Sequence, residues 1–461
     1  MDDRADLGIG RRIINFKHQL INQLMTEKIA IFWFRRDLRI DDNTGFLAAL
    51  KAGFPVLPIF IFDTEILDKL PENDARVTFI HENLQKMRME LQKIGSSIAI
   101  YHGKPSEIFK KLTEEYELQN VFTNRDYEPY AKERDGEIEK LLTSKNIEFH
   151  TYKDQVIFEK DEVVKKDRSP YVVYTPYMKL WKEKFKTTGL KIQDTHKFLD
   201  KLVKNTDLPN LSLKDICFES SEIKVPDYNV SPDLIQDYEA KRNFPAKDAT
   251  SHLGPHLRFG TVSIRKMTEK AISEKNEVFW QELIWREFFM QILYHFPQTM
   301  TESFKKKYDR IEWRNDKDEF EKWKAGKTGY PLVDAGMREL NESGFMHNRV
   351  RMLVGSFLCK HLLIDWRWGE AYFAEKLLDY EMASNVGNWQ WIAGSGVDAA
   401  PYFRIFNPTT QINDYDKEHE YIKKWVKEFG TGDYPEMMVD HKEARERALN
   451  SYKMIDLRSE I

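Results

Sequence analysis

Residues 28–34 read KIAIFWF, a continuous apolar and aromatic run that is typical of a strand buried on both faces. Four similar runs follow, namely FPVLPIFIFD (54–63), SSIAIYHG (96–103), NVFTN (120–124) and IEFHTY (147–152). The stretches between them have helical spacing, as in ARVTFIHENLQKMRMELQKI (75–94) and PSEIFKKLTEEYEL (105–118). Buried strands that alternate with helices predict a doubly wound, Rossmann-like parallel sheet.

The turn after the first run, FRRDLRIDDN (34–43), lacks the G-x-G-x-x-G pattern of dinucleotide-binding domains, so no nicotinamide cofactor is expected there. Helical patterns replace strands after about residue 226, as in VFWQELIWREFFMQILYHF (278–296). The expected fold class is therefore an α/β domain followed by a larger all-α domain. We predict four segments: an N-terminal extension (1–25), the α/β domain (26–155), an interdomain linker (156–225) and the all-α domain (226–461).

The composition is that of a globular protein. The chain has 461 residues, 41% hydrophobic and 32% charged, and no apolar run reaches the roughly 18 residues of a membrane span. The N-terminus lacks the apolar region of a secretory signal. Two cysteines that lie far apart favour a reducing, cytoplasmic location. A net charge of −4 gives no global sign of nucleic-acid binding, which would need a local basic face.

Three stretches of the second half could carry chemistry. In DATSHLGPHLRFGTVS (248–263), hydroxyl groups and glycines suit a phosphate group, although an ordinary cap and turn would look the same. Its two histidines have no further ligands at metal-binding spacing, and no metal is expected. In QELIWREFF (281–289), Glu282 and Trp285 share a helix face, as in a flat-ligand site or a salt-bridged amphipathic helix. Trp389 and Trp391 lie about 200° apart on a helix and would serve two faces, or two core layers.

Taken together, long motifs in a fixed order resemble the DNA photolyase and cryptochrome family, and most closely the class I cyclobutane pyrimidine dimer photolyases of bacteria. The resemblance covers about residues 28–425. The motifs that carry it are FWFRRDLRIDDN, YVVYTPYMKLW, TSHLGPHLRFGTVS, ELIWREFF, GKTGYPLVDAGMREL, FMHNRVRM, LLIDWRWGEAYF and SNVGNWQWIAGSGVDAAPYFRIFNPTTQ.

The resemblance implies that the all-α domain binds FAD. On the phosphate side it implies contacts from Tyr238, Thr250, Ser251, His252, Leu253 and Gly254, with His252 standing where many relatives have Arg. Around the flavin ring it implies contacts from Arg286, Arg351, Asp379, Tyr380, Glu381 and Asn385. Asn385 falls at the position next to the flavin N5, where photolyases carry Asn.

The same resemblance implies a DNA substrate. The implied pocket and backbone contacts are Arg242, Glu282, Trp285, Asn348, Arg349, Met352, Trp391 and Gln411. Trp389, Trp366 and Trp313 match the tryptophan chain that supplies electrons to the flavin, and Glu282 would stabilise charge on the dimer. The implied activity is that of a deoxyribodipyrimidine photo-lyase, a carbon–carbon lyase. In the implied reaction, blue light drives an electron from reduced FAD to a flipped-out pyrimidine dimer, which repairs the DNA damage.

Two alternatives use the same cofactor. A (6-4) photolyase typically has His where this chain has Asn348, and a cryptochrome-like blue-light receptor typically has a residue other than Asn at 385 and a longer C-terminal tail. A flavin-binding module without DNA contact fits poorly with Trp285 and Trp391. Folate-using relatives often carry Asn-Glu where this chain has Tyr130 and Ala131, so an antenna chromophore, if present, is expected to be of another kind. UV-damaged DNA is the expected partner of a protein that acts as a monomer, away from membranes.

Overall fold

A computed structural model describes residues 27–458, which form two compact units. The predicted N-terminal extension, 1–25, lies outside these residues. Of the described residues, the first unit contains 27–155 together with Ile192–Ser220 and Phe259–Ser263, and the second contains Val156–Lys191, Ser221–Arg258 and 264–458. None of the described helices combines the length and apolar character that crossing a membrane requires.

The first unit is built on a parallel sheet in the strand order β3-β2-β1-β4-β5. Its strands are β1 (Lys28–Phe34), β2 (Val56–Phe62), β3 (Ala99–His102), β4 (Glu117–Asn124) and β5 (Glu148–Tyr152). The helices of this unit are α1 (Thr44–Leu50), α2 (Thr64–Leu67), α3 (Ala75–Gln92), α4 (Pro105–Glu115) and α5 (Pro129–Thr143). The central strand β1 is buried from its second residue onward, as its apolar sequence predicts. The prediction of an α/β sheet is confirmed.

Polar residues meet at the carboxyl ends of β1 and β4, where the order of the strands reverses. Asn124 donates from Nδ2 to Asp37 Oδ2 at 2.6 Å and to Asn43 Oδ1 at 2.7 Å. Asn43 also caps α1 by accepting from the Phe46 N–H at 3.0 Å. Burial raises the pKa of Asp37. In open α/β sheets this edge is the usual place for a ligand.

The second unit is helical, which confirms the second half of the predicted fold class. Its helices are α6 (Tyr174–Thr188), α7 (Pro232–Lys241), α8 (Gly254–Phe259), α9 (Ile264–Ser273, which starts at the unit boundary), α10 (Val278–His295), α11 (Lys317–Lys324), α12 (Pro331–Ser343), α13 (Asn348–Ser356), α14 (Trp366–Lys376), α15 (Met382–Ala393), α16 (Pro408–Tyr415), α17 (Glu420–Trp425) and α18 (His441–Arg458). A π-helical turn, Phe357–His361, continues α13.

The segment that we expected to be a linker, 156–225, contains the helix α6 and belongs partly to each unit. Within the second unit, the buried carboxylate of Glu287 on α10 holds this segment. It accepts the Ile157 N–H at 2.7 Å, the Phe158 N–H at 2.9 Å and the Trp181 indole N–H. Together with the Tyr177 hydroxyl, which donates to Glu287 Oε1 at 3.5 Å, these donors satisfy the charge that burial would otherwise penalise.

Two glycines let the central helices of the second unit approach closely. A Cβ on Gly369 of α14 would lie 2.1 Å from Cη2 of Trp389, and a Cβ on Gly387 of α15 would lie 2.3 Å from Cδ1 of Phe289 on α10. Both distances are far below van der Waals contact, so only glycine fits. The packing of α10, α14 and α15 therefore depends on glycine at these two positions, and it brings Trp389 into the core.

Candidate flavin and substrate site

A cavity of about 420 Å³ lies in the second unit, among α10, α13, α14, α15 and the segment that leads into α15. Twelve of the residues expected at the cofactor and substrate sites line it: Glu282, Trp285, Arg286, Asn348, Arg351, Met352, Asp379, Tyr380, Glu381, Asn385, Trp389 and Trp391. A cavity of this size that is lined by aromatic rings and a few polar groups is typical of a small-molecule or cofactor site.

Two acidic residues of the cavity wall are paired with arginines. Arg351 donates from Nη1 to Asp379 Oδ1 at 3.1 Å and from Nη2 to Asp379 Oδ2 at 2.9 Å. Arg258 and Arg286 lie 3.5 Å and 3.9 Å from the carboxylate of the buried Glu381. Both carboxylates are thus compensated by guanidinium groups, and Arg286 and Arg351 themselves line the cavity, where they can interact with an anionic ligand group.

Asn385 is held by a glutamate that we did not identify in the sequence. Its Nδ2 donates to Glu370 Oε1 at 2.9 Å and to the Glu370 carbonyl oxygen at 3.1 Å. Desolvation raises the pKa of Glu370, and the hydrogen bond from Asn385 opposes the shift. Because both donor positions of the Asn385 amide are directed at Glu370, the orientation of its side chain in the cavity wall is fixed.

The two tryptophans of α15 differ in burial. Trp389 is 3% exposed and packs against Phe373 (ring centroids 5.0 Å apart) and Trp323 (6.4 Å). Trp391 is half-buried. Both border the cavity, Trp389 from the core side and Trp391 from the more accessible side.

At the cavity mouth, Trp285 is stacked on a second aromatic ring. The ring of Tyr174 lies parallel to it, with centroids 3.5 Å apart and an interplanar angle of 8°. Tyr174 is fixed at both ends, because its hydroxyl donates to the Gln281 carbonyl oxygen at 2.9 Å and its backbone N–H donates to Asp398 Oδ2 at 3.1 Å. Trp285 is therefore held flat, as a stacking platform requires.

Glu282, one turn before Trp285, forms an ion pair with Arg242 at the end of α7. The Arg242 guanidinium also lies over the Tyr238 ring, 5.6 Å from its centroid. Burial raises the pKa of Tyr238 to about 12, and the Glu282 carboxylate adds to the shift. Arg242 and Tyr238 thus adjoin the substrate end of the cavity through Glu282.

The start of α13 supplies the opposite side of the mouth. Asn348 is exposed there, and Arg349 donates from Nη2 to Asn243 Oδ1 at 2.6 Å and lies over the Tyr415 ring at 4.4 Å. His347 caps the helix by accepting the Arg349 N–H on Nδ1 at 3.2 Å. Burial, followed by the charges of two neighbouring arginines, lowers the pKa of His347 to about 4, so this ring is neutral at pH 7.

The other expected residues lie away from the cavity lining. The Thr250–Gly254 segment, which includes Ser251 and Leu253, adjoins it through Gly254, where a Cβ would lie 2.8 Å from Asp379 Cβ. His252 has a positive φ of 50°, and its Nε2 lies 3.2 Å from Asp248 Oδ1. Gln411 is half-buried on α16. Trp366 is a core residue with 1% exposure, and Trp313 packs against the same core from a half-buried position.

The side chains fit the family cofactor. Among the described residues, His252 Nδ1 is buried without a hydrogen-bond partner, and it belongs to the segment expected on the phosphate side. The Arg351 guanidinium, the fixed amide of Asn385 and the aromatic lining together suit a flat, polar cofactor such as FAD. Among residues 27–458, no group of three or more His, Cys, Asp or Glu side chains could hold a metal ion.

Comparisons with known proteins define the class. A family model described as "DNA photolyase" matches residues 30–196, and one described as "FAD binding domain of DNA photolyase" matches residues 279–431. A deoxyribodipyrimidine photo-lyase of Agrobacterium fabrum (strain C58) is 35% identical over 470 residues, which cover 92% of this chain and 98% of that relative. The chain therefore belongs to the DNA photolyase family, and FAD is its cofactor.

Solved structures agree with this assignment. A bacterial class III photolyase from Agrobacterium tumefaciens has a TM-score of 0.82 at 33% identity and covers 94% of this chain and 98% of its own. An archaeal photolyase from Sulfolobus tokodaii, solved with two FAD molecules, has a TM-score of 0.77 at 33% identity, with coverages of 92% and 99%. Both likenesses extend over nearly the full length of each chain.

Proposed function

We propose that this protein is a deoxyribodipyrimidine photo-lyase, which uses blue light to split cyclobutane pyrimidine dimers in UV-damaged DNA. The observation that carries the proposal is one cavity whose lining combines two groups of residues. Arg351, Asp379 and Asn385 are those expected around a flavin ring, and Glu282, Trp285 and Trp391 are those expected around a flipped-out dimer. Cofactor and substrate would share one enclosure, which short-range electron transfer requires. The Agrobacterium fabrum relative is likewise named a deoxyribodipyrimidine photo-lyase.

The chain's own residues would bind and orient both partners. A dimer is poorly stacked and paired, so it costs less to flip out of the duplex than a normal base pair, and Trp285 and Trp391 would stack against it. When bound in its reduced form, FAD supplies on illumination the electron that opens the cyclobutane ring. Arg351 would stabilise negative charge beside the flavin ring, and Glu282 would accept a hydrogen bond from the dimer.

Three tryptophans would restore the reduced state of the protein after oxidation. We propose that Trp389, Trp366 and Trp313 pass electrons towards the cavity, since Trp389 borders it and all three belong to or pack against one core. The charged residues Arg242 and Arg349, together with Gln411, would contact the DNA backbone near the mouth. The phosphate side of FAD would lie along Tyr238 and the Thr250–Gly254 segment.

The role of Glu282 is tested with Glu282→Ala. This change should lower the number of dimers repaired per absorbed photon about tenfold, because a charge-assisted hydrogen bond to the reacting base is lost. The FAD content should not change, since the cofactor end of the cavity is untouched. A variant that loses FAD would show a structural role instead.

The lesion is tested by binding in the dark. Two oligonucleotides of the same sequence, one with a cyclobutane thymine dimer and one with a (6-4) lesion, are titrated against the protein. We expect tighter binding of the cyclobutane dimer, because Asn348 at the mouth offers an uncharged amide. A preference for the (6-4) lesion would refute this assignment, and equal binding of damaged and undamaged DNA would favour a blue-light receptor.

We also propose that the protein acts as a monomer in the cytoplasm, whose reducing conditions suit the free thiols of Cys217 and Cys359. The segments 26–155 and 226–461 would serve as antenna-type and catalytic domains. A second chromophore would bind in the α/β unit, where Tyr130 donates to Asp63 Oδ2 at 2.6 Å. The absorption spectrum of the purified protein would show that chromophore, and sedimentation would give the number of subunits.

A further inference from the structure

The ion pair between Arg242 and Glu282 connects two functions that the proposed activity needs at the same moment. Arg242 lies on the DNA side of the mouth, and Glu282 lines the cavity that would receive the flipped dimer. Their side chains are 30% and 35% exposed, so the pair is reachable by a ligand but is not fully solvated. In this arrangement, the Glu282 carboxylate that the dimer would need is paired with the Arg242 guanidinium.

The surroundings of the pair are positively charged. Arg349 lies close enough that the charges of Arg242 and Arg404 lower its pKa, after the larger effect of burial. Arg349 donates to Asn243 Oδ1 at 2.6 Å and is not directed at Glu282. Arg242 and the neighbouring Arg349 can attract a phosphate, which can form two parallel hydrogen bonds with an arginine.

We propose that Arg242 is a specificity-determining residue that couples the two binding events. In the DNA-free protein Arg242 holds Glu282, and a backbone phosphate that binds Arg242 releases the carboxylate, which then accepts the imide N–H of a pyrimidine in the dimer. This inference rests on the proposed function. When a dimer without phosphates binds, the free energy of breaking the ion pair weakens its binding. A dimer within DNA carries a backbone phosphate that pairs with Arg242 instead of Glu282.

The coupling has a thermodynamic consequence. If phosphate binding frees Glu282 for the base, base binding must favour phosphate binding by the same factor. An ion pair of this exposure contributes on the order of 1 kcal/mol, which corresponds to about fivefold in a binding constant. Isolated dimers should therefore bind about fivefold more weakly than they would if Arg242 did not compete for the carboxylate.

The experiment compares two probes on four forms of the FAD-bound protein: the wild type, two single variants and one double variant. The first probe is a fluorescent oligonucleotide with one thymine dimer, and the second is the cyclobutane dimer of thymidine nucleosides, which has no phosphate and is measured by competition. Arg242→Gln should bind the oligonucleotide at least tenfold more weakly but bind the nucleoside dimer about fivefold more tightly. The control Arg349→Gln removes a neighbouring cation that is outside the ion pair. It should weaken the binding of the oligonucleotide and leave the affinity for the nucleoside dimer unchanged.

The coupling predicts that Arg242→Gln changes the affinities for the two probes in opposite directions. If Arg242→Gln, with normal FAD content, binds the nucleoside dimer as weakly as the wild type or more weakly, the inference is wrong. If the wild type does not prefer the damaged oligonucleotide to an undamaged one, the proposed function itself fails. Adding Glu282→Gln to Arg242→Gln should remove the gain in nucleoside affinity, and a gain that persists would contradict a role for the carboxylate.

Discussion

Gly369 allows the closest helix contact in the wall of the cavity, and its replacement by alanine gives a sharp prediction. A Cβ at this position would lie 2.1 Å from Trp389 Cη2, 2.5 Å from Trp389 Cζ3 and 2.6 Å from Leu358 Cδ2. Ordinary contact begins at 3.4 Å, so the indole would have to move by at least 1.3 Å, the difference between 3.4 Å and 2.1 Å. Trp389 is 3% exposed and cannot move into solvent.

The expected cost follows from these distances. Overpacking of a rigid core costs about 1–3 kcal/mol, from which the better helix propensity of alanine subtracts roughly 0.5–1 kcal/mol. Gly369→Ala should therefore lower the free energy of unfolding by up to about 2.5 kcal/mol. Gly136→Ala is the matched control, because a Cβ there meets nothing within 4 Å in the middle of α5. It should raise the free energy of unfolding by about 0.5–1 kcal/mol.

Urea unfolding followed by circular dichroism measures both variants. Trp389→Phe tests whether the indole is the group that the new methyl group contacts. If it is, the double variant Gly369→Ala/Trp389→Phe should be destabilised by less than the sum of the two single variants. The reasoning would be refuted if Gly369→Ala were as stable as Gly136→Ala, or if the two changes at 369 and 389 were additive.

Three further changes test other parts of the structure. Glu287→Ala leaves two backbone N–H groups and an indole N–H without an acceptor and should cost about 3 kcal/mol or more in urea unfolding; a cost near zero would contradict the role of this carboxylate. Glu370→Gln should be more stable than the wild type at neutral pH. The pKa of Glu370 is raised in the folded protein, so the wild type loses folding stability as the pH rises above 4.5, the ordinary pKa of this carboxyl group. That difference should vanish below pH 4.5, and a gain independent of pH would refute the cause. Asp379→Asn should raise the dissociation constant for FAD about tenfold, because Arg351 loses its orienting partner; an unchanged flavin-to-protein absorbance ratio would oppose this.

Much of the fold could be predicted because the signals are local. The strands β1 and β2 are short apolar runs, and their burial on both faces leaves no alternation to misinterpret. The helix Tyr174–Thr188 was missed because lysines and a proline hide its pattern. Its apolar stripe of Tyr174, Tyr177, Trp181 and Phe185 was nevertheless present at helical spacing and could have been recognised.

The site was predictable only in part, because side chains from distant segments meet there. Family motifs named most of the cavity lining, but they did not identify Glu370 or Tyr174, which contact the lining residues Asn385 and Trp285. Glu370 resembles any exposed helix glutamate in the sequence, and its contact with Asn385 bridges two helices. Tyr174 reaches Trp285 from a segment more than a hundred residues earlier. Neither contact has a periodicity that a single sequence could show.

The central claim is that this cavity repairs pyrimidine dimers with light. The most direct measurement keeps the protein reduced and free of oxygen, adds an oligonucleotide with one cyclobutane thymine dimer, and follows the recovery of thymine absorbance under blue light. We predict recovery in the light, none in darkness, and continued turnover when dimer is in excess. No recovery from protein that holds reduced FAD and binds the oligonucleotide would contradict the claim.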